Sequence, residues 1–329
     1  MINSMTTKIN RVLIALWLLL LPLAVAAQRT LSEVAEASDD GFNFLVITDQ
    51  GRNGYYDQKA IAHSMGELAG KGDAEFVLTL GDNFHYIGLE SVSDPLWMTN
   101  FELIYDHPEL QIPWYPIIGN HEQKGNVQAM IDYSKISRRW ELHRRYYSLS
   151  FRTDEGETVD LFLLDTCPLI DKYRNDAEYK SVKGQSREEQ LAWLESGLAG
   201  SNADYKIVAG HHPIYADTRK ADSERLDMQK YVAPLLDKYH ADLYLSGHIH
   251  NHQHIKRDSS SVDYVVVTSG ALSRKVKPIE GTQFCSPETG FAFISIKSGR
   301  LTMFLLDKDG NELYHFTRPK APHTSCRQE

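Results

Sequence analysis

The stretch DLYLSGHIHNHQHI, residues 242–255, reads as two things in succession. Residues 242–247 form an apolar run that ends in a glycine, and after it His248, His250, His252 and His254 fall at every second position. On an extended segment that period puts all four imidazoles on one face. In sheet proteins with buried parallel strands, ligands collect in the crevice beyond the carboxyl ends of the strands. Which of the four histidines bind anything therefore depends on what other strands deliver to the same place.

Other strands do deliver partners. The runs FNFLVIT (42–48), EFVLTL (75–80), WYPIIG (114–119), VDLFLLD (159–165), YKIVAG (205–210) and DYVVVTSG (263–270) have the length and composition of buried strands. Between them, DQKAIAHSMGELAG, DPLWMTNFELIYD, NVQAMIDYSKISRRW, SREEQLAWLESGLAG and RLDMQKYVAPLLDKY predict helices, with Gly70 and Gly200 as stop signals. The tail differs: FAFISI, LTMFLLD and NELYHFT are strands joined by the tight turns KSGR and KDGN. Alternating strands and helices followed by an antiparallel end predict an α/β fold of stacked sheets flanked by helices in a single domain.

Composition sets the outer limits. The 329 residues are 42% hydrophobic and 24% charged, as in an ordinary globular protein, and the formal net charge of -9 argues against a nucleic-acid partner. At the start, Lys8 and Arg11 precede an apolar run from Val12 and small residues at Ala24, Ala26 and Ala27. Residues 1–27 thus predict a secretory signal peptide, because Pro22 interrupts the run short of the about 20 residues a membrane span needs. The mature chain is expected to be periplasmic or extracellular, with no membrane attachment once the signal is removed. Of Cys167, Cys285 and Cys326, Cys167 follows LFLLD and predicts a buried thiol, while Cys285 and Cys326 pair only if the fold brings them together. The irregular segment 167–185, between a strand and a helix, is where a loop can lie over a site.

The polar residues that follow the strands carry the chemistry. They are Asp49 in ITDQG, Asp82 in LGDNFHY, Asn120 and His121 in IGNHE, His211 in AGHHP, and His248 with His250 in SGHIH. Five strand ends so bring a carboxylate pair, a carboxamide and several imidazoles together. Such a mixture suits two ions of iron, zinc or manganese, with one aspartate able to bridge them. Gly51, Gly81, Gly119, Gly210 and Gly247 are expected to let the chain turn sharply at each strand end.

The order D-x-G, GD, GNH, GH and GHxH resembles the binuclear metallophosphoesterases, and specifically the small purple acid phosphatases, also called tartrate-resistant acid phosphatases. The resemblance continues through IPWYPIIGNHEQKGN, YSKISRRW, QLAWLESGLA and DYKIVAGHHP, and so covers about residues 42–317. It implies a four-layer sandwich, two stacked mixed β-sheets flanked by helices, forming one calcineurin-like domain over residues 28–329. It also implies that Asp49 and His250 bind a first metal, that Asp82 bridges, and that Asn120, His211 and His248 bind a second. His252 and His254 lie where the family shows no ligand. His121 matches the histidine that binds phosphate oxygens or protonates the leaving alcohol, and Asn120 also faces the substrate. His212, next to a ligand, is assigned to substrate binding at the pocket rim, although neighbours on an extended segment face opposite ways and it could instead pack beneath.

One position departs from the family. Three residues after Asp82, where the coloured enzymes carry a tyrosine that binds ferric iron, this sequence has His85, and tyrosine follows as Tyr86. A shift of one residue turns a side chain to the other face, so His85 is taken as the metal ligand and Tyr86 is not. The implied cofactors are iron with a divalent ion (Fe, Zn or Mn), or a divalent pair. The expected activity is hydrolysis of small phosphomonoesters by a monomeric exported acid phosphatase. A phosphodiesterase or nucleotide pyrophosphatase on the same metals is the alternative, and a non-catalytic phosphate- or metal-binding protein a remote one.

Overall fold

Alternation with a period of two sorts the apolar side chains of each strand into separate layers. In the computed structural model, which describes residues 28–320, the strands run in chain order as β1 (Phe42–Ile47), β2 (Ala74–Thr79), β3 (Trp114–Pro116), β4 (Tyr147–Arg152), β5 (Thr158–Leu163) and β6 (Tyr205–Ala209). They continue as β7 (Leu243–Ser246), β8 (His252–Lys256), β9 (Asp263–Val266), β10 (Thr282–Ser286), β11 (Gly290–Lys297), β12 (Arg300–Asp307) and β13 (Glu312–Pro319). The helices are α1 (Leu31–Ala37), α2 (Gln58–Lys71), α3 (Val127–Tyr133), α4 (Asp171–Asn175), α5 (Arg187–Gly200), α6 (Asp222–Tyr231) and α7 (Ala233–Lys238).

Two mixed sheets result, in the orders β13-β12-β11-β1-β2-β3 and β10-β8-β9-β7-β6-β5-β4. Phe44, Val46, Phe76 and Leu78 of the first face Leu161, Ile207, Leu243 and Leu245 of the second. Phe76 stacks on Phe44 at 4.6 Å and on Phe151 of β4 at 4.9 Å, so aromatic faces join the two sheets. The alternate residues Leu45, Ile47 and Val77 face outward onto Ile61, Met65 and Leu68 of α2 and onto Trp97, Trp114 and Trp140. On the far side, Phe162, Val208 and Tyr244 pack against Leu194 of α5, Met228 of α6 and Leu236 of α7. Helix, sheet, sheet, helix is the expected four-layer sandwich. Strands covered on both faces explain why their sequences read as continuous apolar runs.

Direction matters more than layering for the site. β1, β2 and β3 run parallel, as do β5, β6, β7 and β9. Their carboxyl ends open at one edge of the sandwich, where Thr48 after β1 bridges Ser269 after β9 and ties the two sheets together.

Several local expectations change. The predicted helix over 94–106 is reduced to a short π-type turn at Met98–Glu102, and beyond it Arg139 donates to the carbonyls of Tyr105 and Leu110 (2.5 and 3.2 Å). The helix predicted over 225–239 starts earlier and breaks into α6 and α7 at Val232, since Pro234 has no N–H to continue the ladder. Gly70 lies inside α2, whose cap is Gly72, its carbonyl held by Asn43 Nδ2 at 2.7 Å. The segment 167–185 is anchored: Leu169, Ile170, Tyr173, Tyr179 and Val182 belong to the outer core. Cys167 is buried and Cys285 lies half-buried on β10. The signal peptide and any pairing of Cys285 with Cys326 fall outside the described residues. No helix among the described residues is long and apolar enough to cross a membrane.

Candidate metal centre

Four of the residues expected to bind metal hold a left-handed backbone: Asp49, Asp82, His248 and His250 have φ of 52°, 51°, 71° and 58°. Non-glycine residues adopt this region at a cost, and they persist there when the surroundings over-determine them. The Asp49 Oδ2 atom accepts hydrogen bonds from Thr48 Oγ1 (2.8 Å) and from the His248 N–H (2.7 Å), so it locks two of the turns to each other. Glu122 does the same for the rest, accepting from the N–H groups of Asp82 (3.0 Å), Phe84 (2.9 Å) and Gly119 (2.6 Å). The strand-end glycines serve close approach more than turning. Only Gly81 among the five has a positive φ, whereas a Cβ on Gly119 would lie 2.2 Å from Asp82 N and one on Gly247 2.0 Å from Thr48 Oγ1.

The side chains then converge in four overlapping groups. Ligand atoms of Asp49, His85 and His250 lie within 4.8 Å of one another, as do those of Asp82, His85 and His121, those of Asp49, Asp82 and His211, and those of His211, His212 and His248. Each imidazole is oriented from behind. His85, His211 and His250 direct Nδ1 to the carbonyls of Gly51 (3.2 Å), Leu80 (2.8 Å) and Leu272 (2.8 Å). A carbonyl only accepts, so Nδ1 carries a proton and Nε2 is the nitrogen turned into the site.

Those Nε2 atoms meet acceptors. His211 Nε2 is 3.2 Å from each of Asp82 Oδ2, Asn120 Oδ1 and His248 Nδ1, and His250 Nε2 is 3.1 Å from Asp49 Oδ1. Asp49 Oδ1 and His85 Nε2 are buried without a hydrogen-bond partner. Imidazoles, carboxylates and an amide oxygen converging in one buried place fit first-row metal ions, which take all of these atoms as ligands once the imidazoles are neutral. His248 completes the pattern through its other nitrogen, Nε2, which lies 3.0 Å from Glu224 Oε2.

Electrostatics of the metal-free protein agree with this geometry. Burial pushes His85 down to about 3 and, with the Lys220 charge as the next cause, pushes His248 down to about 4, so both imidazoles are neutral at pH 7. Burial raises the Asp49 carboxyl, but His250 beside it more than offsets this and holds it below the usual range. His211 goes the other way: burial lowers it, yet Asp82 lifts it to about 9, so a proton stands there in the absence of metal. Burial and the Asp82 charge push Glu122 up to about 8.

His121 sits at the mouth of the group. Its side chain keeps 20% exposure, Nδ1 meets the Tyr86 carbonyl at 2.5 Å, and Nε2 faces Asp82 Oδ2 at 3.8 Å. Tyr86 itself is 63% exposed, its ring under the Arg52 guanidinium at 5.0 Å and edge-on to the rings of His85 and His121 at 6.0 and 6.4 Å. The row of alternate histidines is broken by the two left-handed residues. His252 and His254 lie on β8 outside the group, His252 beside the Leu306 carbonyl and His254 bound to Asp263 at 2.8 Å. His212 is fully buried behind His248, its nitrogens hydrogen-bonded to Thr166 Oγ1 (2.7 Å) and Tyr173 Oη (2.8 Å). Both of its nitrogens are engaged and it packs beneath His248, its ring 4.3 Å from that one.

Two carboxylates escape a reading of the sequence. Glu122 ends the IGNHE motif, and its place after a ligand is the signal that could have found it. Glu224 sits on α6 in a run of ordinary helix-surface residues, and nothing in the sequence marks it.

Comparison with known proteins gives this arrangement its relatives. The calcineurin-like phosphoesterase family matches residues 42–252. Purple acid phosphatase 4 of Arabidopsis thaliana is 33% identical over 319 residues, which cover 92% of this chain and 91% of that protein. Tartrate-resistant acid phosphatase type 5 of Oryctolagus cuniculus is 33% identical over 281 residues, 80% of this chain and 85% of its own. In three dimensions the chain is similar to GAP50, the anchor in the inner membrane complex of Plasmodium, with a TM-score of 0.74 over 85% of this chain and 89% of that one; at 21% identity the likeness concerns the fold. A family match over more than half of the chain, and relatives a third identical along most of it, mean that this protein belongs to the purple acid phosphatases of the calcineurin-like metallophosphoesterase family and is a metal-dependent acid phosphatase.

Proposed function

We propose that the enzyme hydrolyses small phosphomonoesters at a binuclear centre in which Asp49, His85 and His250 hold one ion, Asn120, His211 and His248 hold the other, and Asp82 bridges them. The observation that carries this reading is the convergence of Asp82 Oδ2, Asn120 Oδ1 and His248 Nδ1 on His211 Nε2, each 3.2 Å away. When bound, the two ions neutralise the phosphate oxygens and acidify an attacking water. The chain's own residues do the rest. Asn120 and His121 border the space for the phosphate, and Asp82 fixes the His121 backbone through an N–H to Oδ1 bond of 2.9 Å. Water attacks phosphorus in line, the bond to the alcohol oxygen breaks, and a proton on His121 Nε2 passes to the departing alkoxide. The Tyr86 carbonyl aims the ring for that transfer.

His85 bears on metal identity. An imidazole in place of a phenolate removes one negative charge from the first site, which favours a divalent pair over one containing ferric iron. The residues before position 28 support export to the periplasm or beyond, and residues 28–329 are read as one monomeric unit without a nucleic-acid partner. Rates on p-nitrophenyl phosphate and bis(p-nitrophenyl) phosphate, measured on metal-loaded enzyme, test the substrate class. A strong preference for the monoester is expected, and a preference for the diester would replace this reading by the phosphodiesterase one.

A further inference from the structure

The chain carries a formal net charge of -9, yet a cavity beside the metal centre is lined by cations. Its volume is about 520 Å³, and Arg219, Lys220, Arg274 and Lys275 line it together with Ile249 and Asn251. Only Thr218 joins them, so no carboxylate faces the space. None of the four cations makes an ion pair with a carboxylate of the described residues.

The cavity adjoins the metal centre through a shared turn. Ile249 and Asn251 alternate with His248 and His250, so the turn that presents two ligands inward also builds this wall. The opposite wall is fastened to the same turn, where the Arg274 N–H donates to the His250 carbonyl at 2.7 Å. Lys220 is coupled to both sides. Burial and then the Arg274 charge push its ammonium below the ordinary value, while Asp82, Glu224 and Asp49 pull it back up. Like charges held together without a counter-ion repel, and an anion placed between them relieves the repulsion.

We propose that this cavity is a second anion subsite, which holds a phosphate carried on the alcohol portion of the substrate while the scissile phosphate lies at the metals. The proposal rests on the phosphatase reading above and deepens it: the preferred substrates are small bisphosphorylated molecules, sugar bisphosphates among them. Water adds to the scissile phosphorus, the bond to the alcohol oxygen breaks, and the alcohol departs with its second phosphate intact, without any change of oxidation state. Arg274 supplies a planar fork suited to two phosphate oxygens, and Lys220 supplies a compact charge near the boundary between the two sites.

The test compares fructose 1,6-bisphosphate with fructose 6-phosphate on the metal-loaded enzyme and on Lys220→Gln, Arg274→Gln and Arg274→Glu. Wild type is expected to prefer the bisphosphate, and the preference should fall as salt is added. Each neutral substitution should lower kcat/KM for the bisphosphate about tenfold, mostly through KM, and leave the monophosphate within about threefold; Arg274→Glu should do more. Equal losses on both substrates would overturn the subsite and make these cations general contributors to phosphate binding. An unchanged bisphosphate rate in all three variants would overturn it as well. A wild-type enzyme that cleaves p-nitrophenyl phosphate but neither sugar phosphate would overturn the subsite alone, whereas one inactive on all three would overturn the phosphatase reading.

Discussion

Glu224 Oε2 lies 3.0 Å from His248 Nε2, while its other oxygen accepts from Tyr173 Oη at 2.9 Å and pairs with Lys172. One carboxylate thereby connects the 167–185 segment to a metal-facing imidazole. It keeps the proton of His248 on the nitrogen turned away from the metal and raises the basicity of the other. Glu224→Gln should weaken binding of the second ion by about 10- to 100-fold and leave the first much less affected. Titration against a chelator of known affinity measures this. Equal affinity in variant and wild type would show that Glu224 only packs the helix.

Residues 242–255 illustrate what a sequence can and cannot disclose. Strand β7 and the residues just after it were legible because burial on both faces demands an unbroken apolar run, and the abrupt polar change marks its end. The fates of His212 and His252 were not legible: a histidine bound to Thr166 and Tyr173, or beside the Leu306 carbonyl, has the same letter as a ligand. The partners that decide come from 46, 39 and 54 residues away. Strands β4 and β10 escaped for a different reason, since they are edge strands whose half-exposed, polar sequences carry little apolar signal. Glu224 escaped because its role depends on where α6 packs, which its own sequence does not specify.

His121 is assigned to proton transfer and not to coordination. His121→Ala should keep both metals and lower kcat by about 100-fold or more for alkyl phosphates, whose alkoxide needs a proton. An activated aryl phosphate, which departs unaided, should lose far less. Equal losses on the two substrates would reduce His121 to a phosphate-positioning group.

The exposure of Tyr86 bears on colour. Its ring is 63% exposed and lies under Arg52, whereas the buried Nε2 of His85 faces the ligand group. Iron-loaded wild-type protein should therefore lack the intense visible band of the tyrosinate-bearing relatives, and the pH optimum should be less acidic than theirs. His85→Tyr should introduce the band and move the optimum downward. An intense band in the wild type would mean that Tyr86 reaches the metal.

Metal uptake should release protons. His211 is lifted from 6.5 to about 9 in the metal-free protein, so at pH 7 it is protonated and a metal must displace that proton. Because the folded-state value is the higher one, this proton stabilises the metal-free fold fully below about 6.5, and the contribution is lost as pH rises through about 9. Calorimetric metal titrations in buffers of different ionisation enthalpy should thus show proton release at pH 7, with apparent affinity rising toward pH 9. Uptake without proton release would contradict the second proton assigned to His211.

The binuclear centre itself depends on Asp82, which lies 3.2 Å from His211, 3.6 Å from His85 and 3.8 Å from His121 through one carboxylate oxygen. Metal content per folded chain, measured on wild type and on Asp82→Ala purified side by side, tests that dependence most directly. The account predicts about two ions per chain in the wild type and well under one in the variant, with phosphatase activity at background. An Asp82→Ala protein that retains two ions would contradict it.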